Sequence, residues 1–505
     1  TLNTGKPVTP RPEIAALPSP APARAMDPGP GRIEACPGGY RVGNNLLTLD
    51  LQTEGGVGLR AAENRCLRGG AMRVEAGPLF TLGVGKTLVP STQVSAGKAS
   101  IRREGKRQTL VVPIDATAAG VPLKGEFLCG VGEGPDVRLD LRLTVAGSET
   151  VQPVVHFPTV SGVTLGSAEH TWYLWCRKGG IVNRVPCFDQ GYYGGQYPLQ
   201  VADFFNPALG GGFSLATYDL KNIYKSWAMS KSETGGLWRI EYTPREYRPG
   251  EAVEIAPTAL RAHTGDWRAA LAEYRRWVST WYRPQAPRKP WFLGCFNYRQ
   301  HWAWGDLRDP KTGKWRIEEV IAADRAGLGC LDYLHLFDFG ESRVYGRVGD
   351  YSHYEELGGR EAMAGAIAKA KEMGVPVGLY IEGYLCDIRA QWGRENVLRD
   401  AIRRADGEPL IYTGGGSEYM MCAASPGWRD HLAETYKRVA GELKPSGLYI
   451  DQYGFLDPWK TCHSRQHGHP VPAYPNRGEA GTLQAIRDAV PPEIPTITEE
   501  TPCDV

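Results

Sequence analysis

The spacing of apolar residues changes once along this chain, near residue 265, and that change limits it to two parts built on different principles. Before it, short alternating runs such as RQTLVVPI (107–114) and DVRLDLRLTV (136–145) are separated by Gly, Pro and Asn turns. In the second run Val137, Leu139, Leu141, Leu143 and Val145 fall on one face and Asp140, Arg142 and Thr144 on the other. That is the pattern of a half-buried antiparallel strand. Many such strands in succession predict a large antiparallel β-sandwich over residues 31–262.

After the change, stretches of helical period near 316–326, 360–373, 426–443 and 479–489 alternate with apolar strands at 291–299, 331–340, 375–385, 447–454 and 494–500. This β/α order predicts the N-terminal part of a (β/α)8 barrel over residues 286–505. Closure takes eight strands, so the sequence reads as a barrel truncated after its fifth. An open doubly wound sheet ranks lower, because no Gly-rich phosphate loop follows the first strand. A half barrel would present two unpaired edges, and the isolated chain is expected to be poorly soluble. Between the two parts, GDWRAALAEYRRWVSTWYRP (265–284) places Trp267, Leu271, Tyr274, Val278 and Trp281 at helical spacing. It is read as a linker helix within residues 263–285, ended by Pro284. Residues 1–30 are Pro/Ala-rich and read as an extended lead-in.

Composition narrows the function classes. A net charge of +2 over 505 residues gives no reason to expect nucleic acid or an acidic membrane as partner. No run of eighteen apolar residues occurs, so no membrane-spanning helix is expected. The 11 cysteines include no C-x-x-C pair, which fits neither a disulfide framework nor a zinc ribbon. TGGGSEY (413–419) reads as a flexible turn and lacks the Lys-Ser/Thr of a phosphate loop; no cofactor is predicted. With 62 Gly, 14 Trp and 24 Tyr the chain suits a loop-rich protein that stacks aromatic rings on sugars, although most such rings fill cores. It begins at Thr1, which reads as a removed leader or a fragment, and a secreted or periplasmic location is expected.

The chemistry is concentrated at strand ends. Leu379-Tyr380-Ile381-Glu382-Gly383-Tyr384 nearly repeats as Leu448-Tyr449-Ile450-Asp451-Gln452-Tyr453. Alternation sends Leu and Ile towards the helices, and Tyr380, Glu382, Tyr449 and Asp451 towards the barrel axis. In IPTITEE the same parity sends Thr496, Thr498 and Glu500 inward and Pro495 and Ile497 outward, so Glu500 is ranked ahead of Glu499. Acids at the C-terminal mouth of a barrel are where such folds keep catalytic groups. Two of them on neighbouring strands are what glycosidic cleavage needs, one to attack and one to protonate the leaving oxygen. Strand-end acids that merely cap helices are the plain alternative.

Asp338, His335 and Glu341 in LHLFDFGES, Trp302 and Trp304 in RQHWAWGD, and Tyr453 are candidate sugar contacts. In DPWKTCHSRQHGHP, Cys462, His463, His467 and His469 match no common zinc spacing. His467 or His469 is expected to bond sugar hydroxyls from a closing loop, and no metal is predicted.

Five segments carry a resemblance: YPLQVADFFNPALGGGFSLATYD (197–219), GDWRAALAEYRRWV (265–278), GLYIDQYG (447–454), HGHP (467–470) and TEETPCDV (498–505). On these the chain resembles, from about residue 190 to its end, a bacterial glycosidase-like family known as a domain of unknown function, DUF6259. In layout that family is similar to α-glycosidases with a galactose-mutarotase-like sandwich before a barrel, including the endo-α-N-acetylgalactosaminidases of glycoside hydrolase family 101. The resemblance implies a retaining hydrolase of α-linked glycans, galacto-type sugars included. It also implies that Asp451 is the nucleophile and that Glu499 or Glu500 is the acid/base. Two other readings stay open: a glycan-binding protein on a silent scaffold, and a metal-dependent hydrolase using the Cys462–His469 loop.

Overall fold

The computed structural model describes residues 19, 22–69, 71–284, 288–303, 305–309, 311–337, 339, 348–352, 355–412 and 417–500. It divides into two compact units between Trp281 and Tyr282.

The first unit is antiparallel throughout. A ten-stranded and a seven-stranded sheet hold most of it, and a five-stranded sheet forms from the strands between Arg32 and Pro78. The two larger sheets pack face to face: Phe204 stacks on Trp238 at 4.6 Å, and Phe213 meets the same indole at 5.4 Å. The alternation in DVRLDLRLTV is realised as the strand Val137–Val145, whose five apolar residues are buried. The helix α1 (Trp267–Trp281), read as a linker, packs on the ten-stranded sheet of this unit. Its Tyr274 hydroxyl accepts the Gln200 amide at 3.0 Å, and Leu271, Trp277 and Val278 lie against Leu174, Val201 and Ala216.

The second unit is built on five parallel strands, β1 (Tyr298–Trp302), β2 (Tyr333–Phe337), β3 (Val377–Glu382), β4 (Gly447–Asp451) and β5 (Thr496–Thr498), hydrogen-bonded in chain order. An order without reversal has no switch point, so the doubly wound alternative does not describe it. Between them lie α2 (Ile317–Leu328), α3 (Arg360–Glu372), α4 (Gln391–Asp400), α5 (Pro426–Leu443) and α6 (Pro475–Ala489). β1 starts later than the sequence suggested. Pro290, preset for a first helical position, turns residues 290–293 into one helical turn. The insert between β3 and α5 was not foreseen: it holds α4 and a hairpin of Leu385–Asp387 with Glu418–Met420.

The sheet has two unlike faces. Leu334, Leu336, Leu379, Ile381, Leu448 and Ile450 share one buried cluster with Met363 and Ile367 of α3 and Trp428, Leu432, Tyr436 and Val439 of α5. These twelve side chains, with aliphatic ones worth about 1.5–3 kcal/mol each when buried, hold helices to strands. α5 starts with Ser425 at the N-cap and Pro426 at its first position, but the Ser425 hydroxyl makes no capping bond and donates to Asp400 Oδ1 at 2.5 Å. The other face carries Tyr333, His335, Phe337, Tyr380, Tyr449 and Asp451.

Candidate active site

The polar face of the parallel sheet lines a cleft of about 600 Å³, walled by Trp291, Phe292, Tyr298, Phe337, Tyr449 and Ile497 and carrying Asp451 and Glu499. Gly378 makes room on its floor: a Cβ there would lie 1.5 Å from the Tyr333 hydroxyl. His335 is buried in this wall, edge-on to Tyr449 at 5.1 Å, and burial pushes its pKa down to about 4. Its ring is therefore neutral at pH 7 and offers a hydrogen bond without a charge.

Three acids come together at the strand ends. The register pairs Glu382 with Asp451, and one hydroxyl, that of Tyr380, lies within hydrogen-bonding reach of both, with Glu382 Oε2 at 3.1 Å. A phenol has one proton to give, so one of the two carboxyls must hold another for both contacts to be favourable. Asp451 and Glu499 also act on each other, each shifting the other's titration. Burial first, and then the charge of Glu382, push Asp451 up to about 7. Burial likewise raises Glu382 and Glu499, and Asp451 adds to the rise at Glu499. Where Asp451 meets Glu499, their interaction lowers Asp451 and raises Glu499. Tuning neighbouring carboxyls apart in this way is how one site keeps an anion and an acid at the same pH.

A backbone kink frames the cluster. β4 ends at Asp451, and Gln452 takes the left-handed conformation (φ +60°), a cost of about 1–2 kcal/mol for a residue with a Cβ. The kink aims the Gln452 amide at Glu499 Oε2 (3.0 Å) and its carbonyl at the buried Lys460 ammonium (2.7 Å). Behind this, Glu479 accepts Tyr384 Oη at 2.7 Å and the Gly454 amide at 2.8 Å, and burial pushes it up to about 7.

The structure brings together Asp451, Glu499, His335, Tyr380 and Tyr449. It corrects several expectations. Glu499, not Glu500, lines the cleft, because Tyr449 pairs with Ile497 and so puts Ile497 and Glu499 on the cleft face. Of the three residues expected inward, Thr498 does line the cleft, between Ile497 and Glu499, whereas Thr496 and Glu500 do not. Gly447 leaves a gap on this face, and the Ile497 side chain reaches over it. Glu382 is 1% exposed and does not line the cleft; it holds Asp451 from behind and is not placed to touch a sugar. Tyr453 is fully buried against Tyr384 at 4.9 Å, because the kink at Gln452 breaks the alternation. Trp302 does not line the cleft but packs edge-on to Phe337 at 4.5 Å and is partly exposed. His467 and His469 do not line it either; they turn towards Cys462 and Cys422. His463 is held by its amide on the Arg403 carbonyl at 2.8 Å. Asp338, Glu341 and Trp304 lie outside the described residues, as do residues 413–416 of the TGGGSEY turn.

Tyr333 and Phe337 were missed although the alternation around Leu334 and Leu336 marks them. Lys460 and Glu479 carry no periodic signal, since a loop and a helix start deliver them.

Comparison with known proteins fits this geometry. Residues 256–476 match the family model described as "Domain of unknown function (DUF6259)". A protein of Bacteroides thetaiotaomicron named "Putative glycoside hydrolase" is 28% identical over 200 residues, which are 37% of this chain and 28% of that protein. The match thus spans little more than a quarter of the relative. Among solved structures, the α-N-acetylgalactosaminidase NagBb of Bifidobacterium bifidum in its GalNAc complex superposes with a TM-score of 0.69 at 15% identity, covering 90% of this chain and 75% of that one. The family 36 α-galactosidase AgaB of Geobacillus stearothermophilus superposes with a TM-score of 0.54 at 12% identity, covering 92% and 72%. At these identities the likeness is one of fold. The fold resembles that of these glycosidases, and residues 256–476 are similar to the DUF6259 family model.

Proposed function

We propose that this protein is a retaining glycoside hydrolase acting on α-linked glycans. Asp451 attacks the anomeric carbon. Glu499 protonates the departing oxygen and then takes a proton from the water that releases the sugar. The observation that carries this reading is that Asp451 and Glu499 line one aromatic-walled cleft and perturb each other there. Inversion needs a water between its two carboxyls and hence a separation of about 6.5–9.5 Å, whereas retention works at about 5–5.5 Å. Two carboxyls that perturb each other across one cleft fit the shorter, retaining range.

Glu382 and Tyr380 are positioning groups. Tyr380 orients the Asp451 carboxylate, and Glu382 backs it and raises its pKa. A galacto-type sugar, N-acetylgalactosamine included, is the substrate class this reading favours, on the names of the fold relatives. The five strands in chain order, with acids at their C-terminal ends, support reading the sheet as part of a (β/α)8 barrel. The test is hydrolysis of aryl α-galactosides and α-N-acetylgalactosaminides followed by proton NMR. The α-anomer released first supports the proposal; the β-anomer released first refutes retention.

A further inference from the structure

Away from the cleft, four side chains from two segments converge on one point. Cys422 follows the hairpin strand Glu418–Met420, and Cys462, His467 and His469 lie on the connection from β4 to α6. One ligand atom from each falls within 4.8 Å of all the others. Cys422 Sγ is 3.6 Å from His469 Nε2, and Cys462 Sγ is 3.5 Å from His467 Nδ1. With Zn–S of about 2.3 Å and Zn–N of about 2.0–2.1 Å, a tetrahedral ion sets the S···N edge near 3.6 Å. Both edges have that length before any ion is considered.

The remaining ring nitrogens supply the second observation. His467 Nε2 meets the Arg399 carbonyl at 2.8 Å, and His469 Nδ1 meets the Pro470 carbonyl at 2.9 Å. A carbonyl only accepts, so each of these nitrogens carries the proton and leaves a lone pair on the one facing the sulfurs. This is the outer hydrogen bond that metal-bound histidines make. Gly468, at φ +75°, reverses the chain between the two rings, which stand at 84° to one another. The Cys462 and Ala473 backbones exchange two 2.8 Å hydrogen bonds and close the base of the loop.

We propose that Cys422, Cys462, His467 and His469 bind one zinc ion in a structural Cys2His2 site. The sequence hid it because the first ligand comes from another segment. Four protein ligands, three of them on buried residues, leave no open position, so the ion's role is to fasten a loop and not to activate water. It fastens the connection that delivers Lys460 to the Gln452 carbonyl beside the acids.

The test is elemental analysis of the purified chain expressed in zinc-supplemented medium, with cobalt substitution as a second readout. One zinc per chain is expected, together with the visible bands of tetrahedral cobalt and a thiolate-to-cobalt charge-transfer band. Cys462→Ser and His469→Ala should each weaken metal binding by roughly tenfold or more. His469→Cys, which keeps four ligands, should retain the ion and strengthen the charge-transfer band. Should Cys462→Ser not fold, the two His469 variants decide the matter alone. Metal far below stoichiometric, zinc unaffected by the ligand variants, or a Cys422–Cys462 disulfide in the purified chain would each overturn the proposal.

Discussion

The two units bury charge in opposite ways. In the sandwich most buried charges face an opposite charge, Lys231 on the Arg184 carbonyl excepted. Lys225 Nζ lies 2.7 Å from Asp219 Oδ2 with both side chains almost wholly buried; Arg261 is 2.6 Å from Asp136, and His263 is 3.0 Å from Asp203. On the parallel sheet, buried Glu382 backs half-buried Asp451 with exposed Glu499 beyond, acid beside acid, and the buried ammonium of Lys460 donates to a backbone carbonyl. Matched pairs serve the fold, because removing either partner strands the other. An acid cluster is a cost to the fold, and the proposed function gives it a reason. The contrast separates structural from functional charge within one chain.

The largest effect should come from the acids and should fall on rate. Asp451→Asn is expected to lower kcat/KM for an aryl α-glycoside by roughly 10^4-fold, and Glu499→Gln by about 10^2–10^4-fold. Thermal unfolding should show neither variant losing stability. Lys225→Met in the sandwich should do the reverse, costing about 3–5 kcal/mol in denaturant unfolding through the stranded Asp219. If an acid variant unfolds as Lys225→Met does, the contrast between the units is broken.

Smaller effects sharpen it. Activity needs Asp451 ionised, so kcat/KM should rise with pH through an acid limb near 7. Glu382→Gln removes a like charge and should move that limb to lower pH; an unmoved limb would mean that Glu382 does not tune Asp451. The stability effect is the smallest. Asp451 and Glu479 hold protons up to about 7 in the folded chain, well above their unfolded values. Between about pH 4 and 7 the folded state therefore binds more protons than the unfolded state, and stability falls as pH rises through that window. Asp451→Asn should melt later than the wild type by a margin that grows from pH 4 to pH 7, as read by calorimetry. A margin that shrinks would contradict the sign.

How much of this was legible in the sequence depends on how local the cause is. The period change near residue 265 announced the antiparallel unit and the parallel one, because strand and helix spacing are local properties. On β3 and β4 the Leu/Ile alternation points Tyr380, Tyr449 and Asp451 at the cleft, because one face must meet helices. That logic failed on β5, where the neighbouring Gly447 draws Ile497 to the polar face and Glu499 with it. It failed again at Tyr453, past a kink that no periodicity predicts. Cys422 joins His467 and His469 through tertiary packing, so spacing within one loop misrepresented the cluster.

The most direct test is covalent trapping with an activated 5-fluoro α-glycosyl fluoride, followed by peptide mapping. An adduct of one sugar on the peptide bearing Asp451, absent from Asp451→Asn, is the predicted result. Turnover without an adduct, or a label on Glu382, would contradict the account.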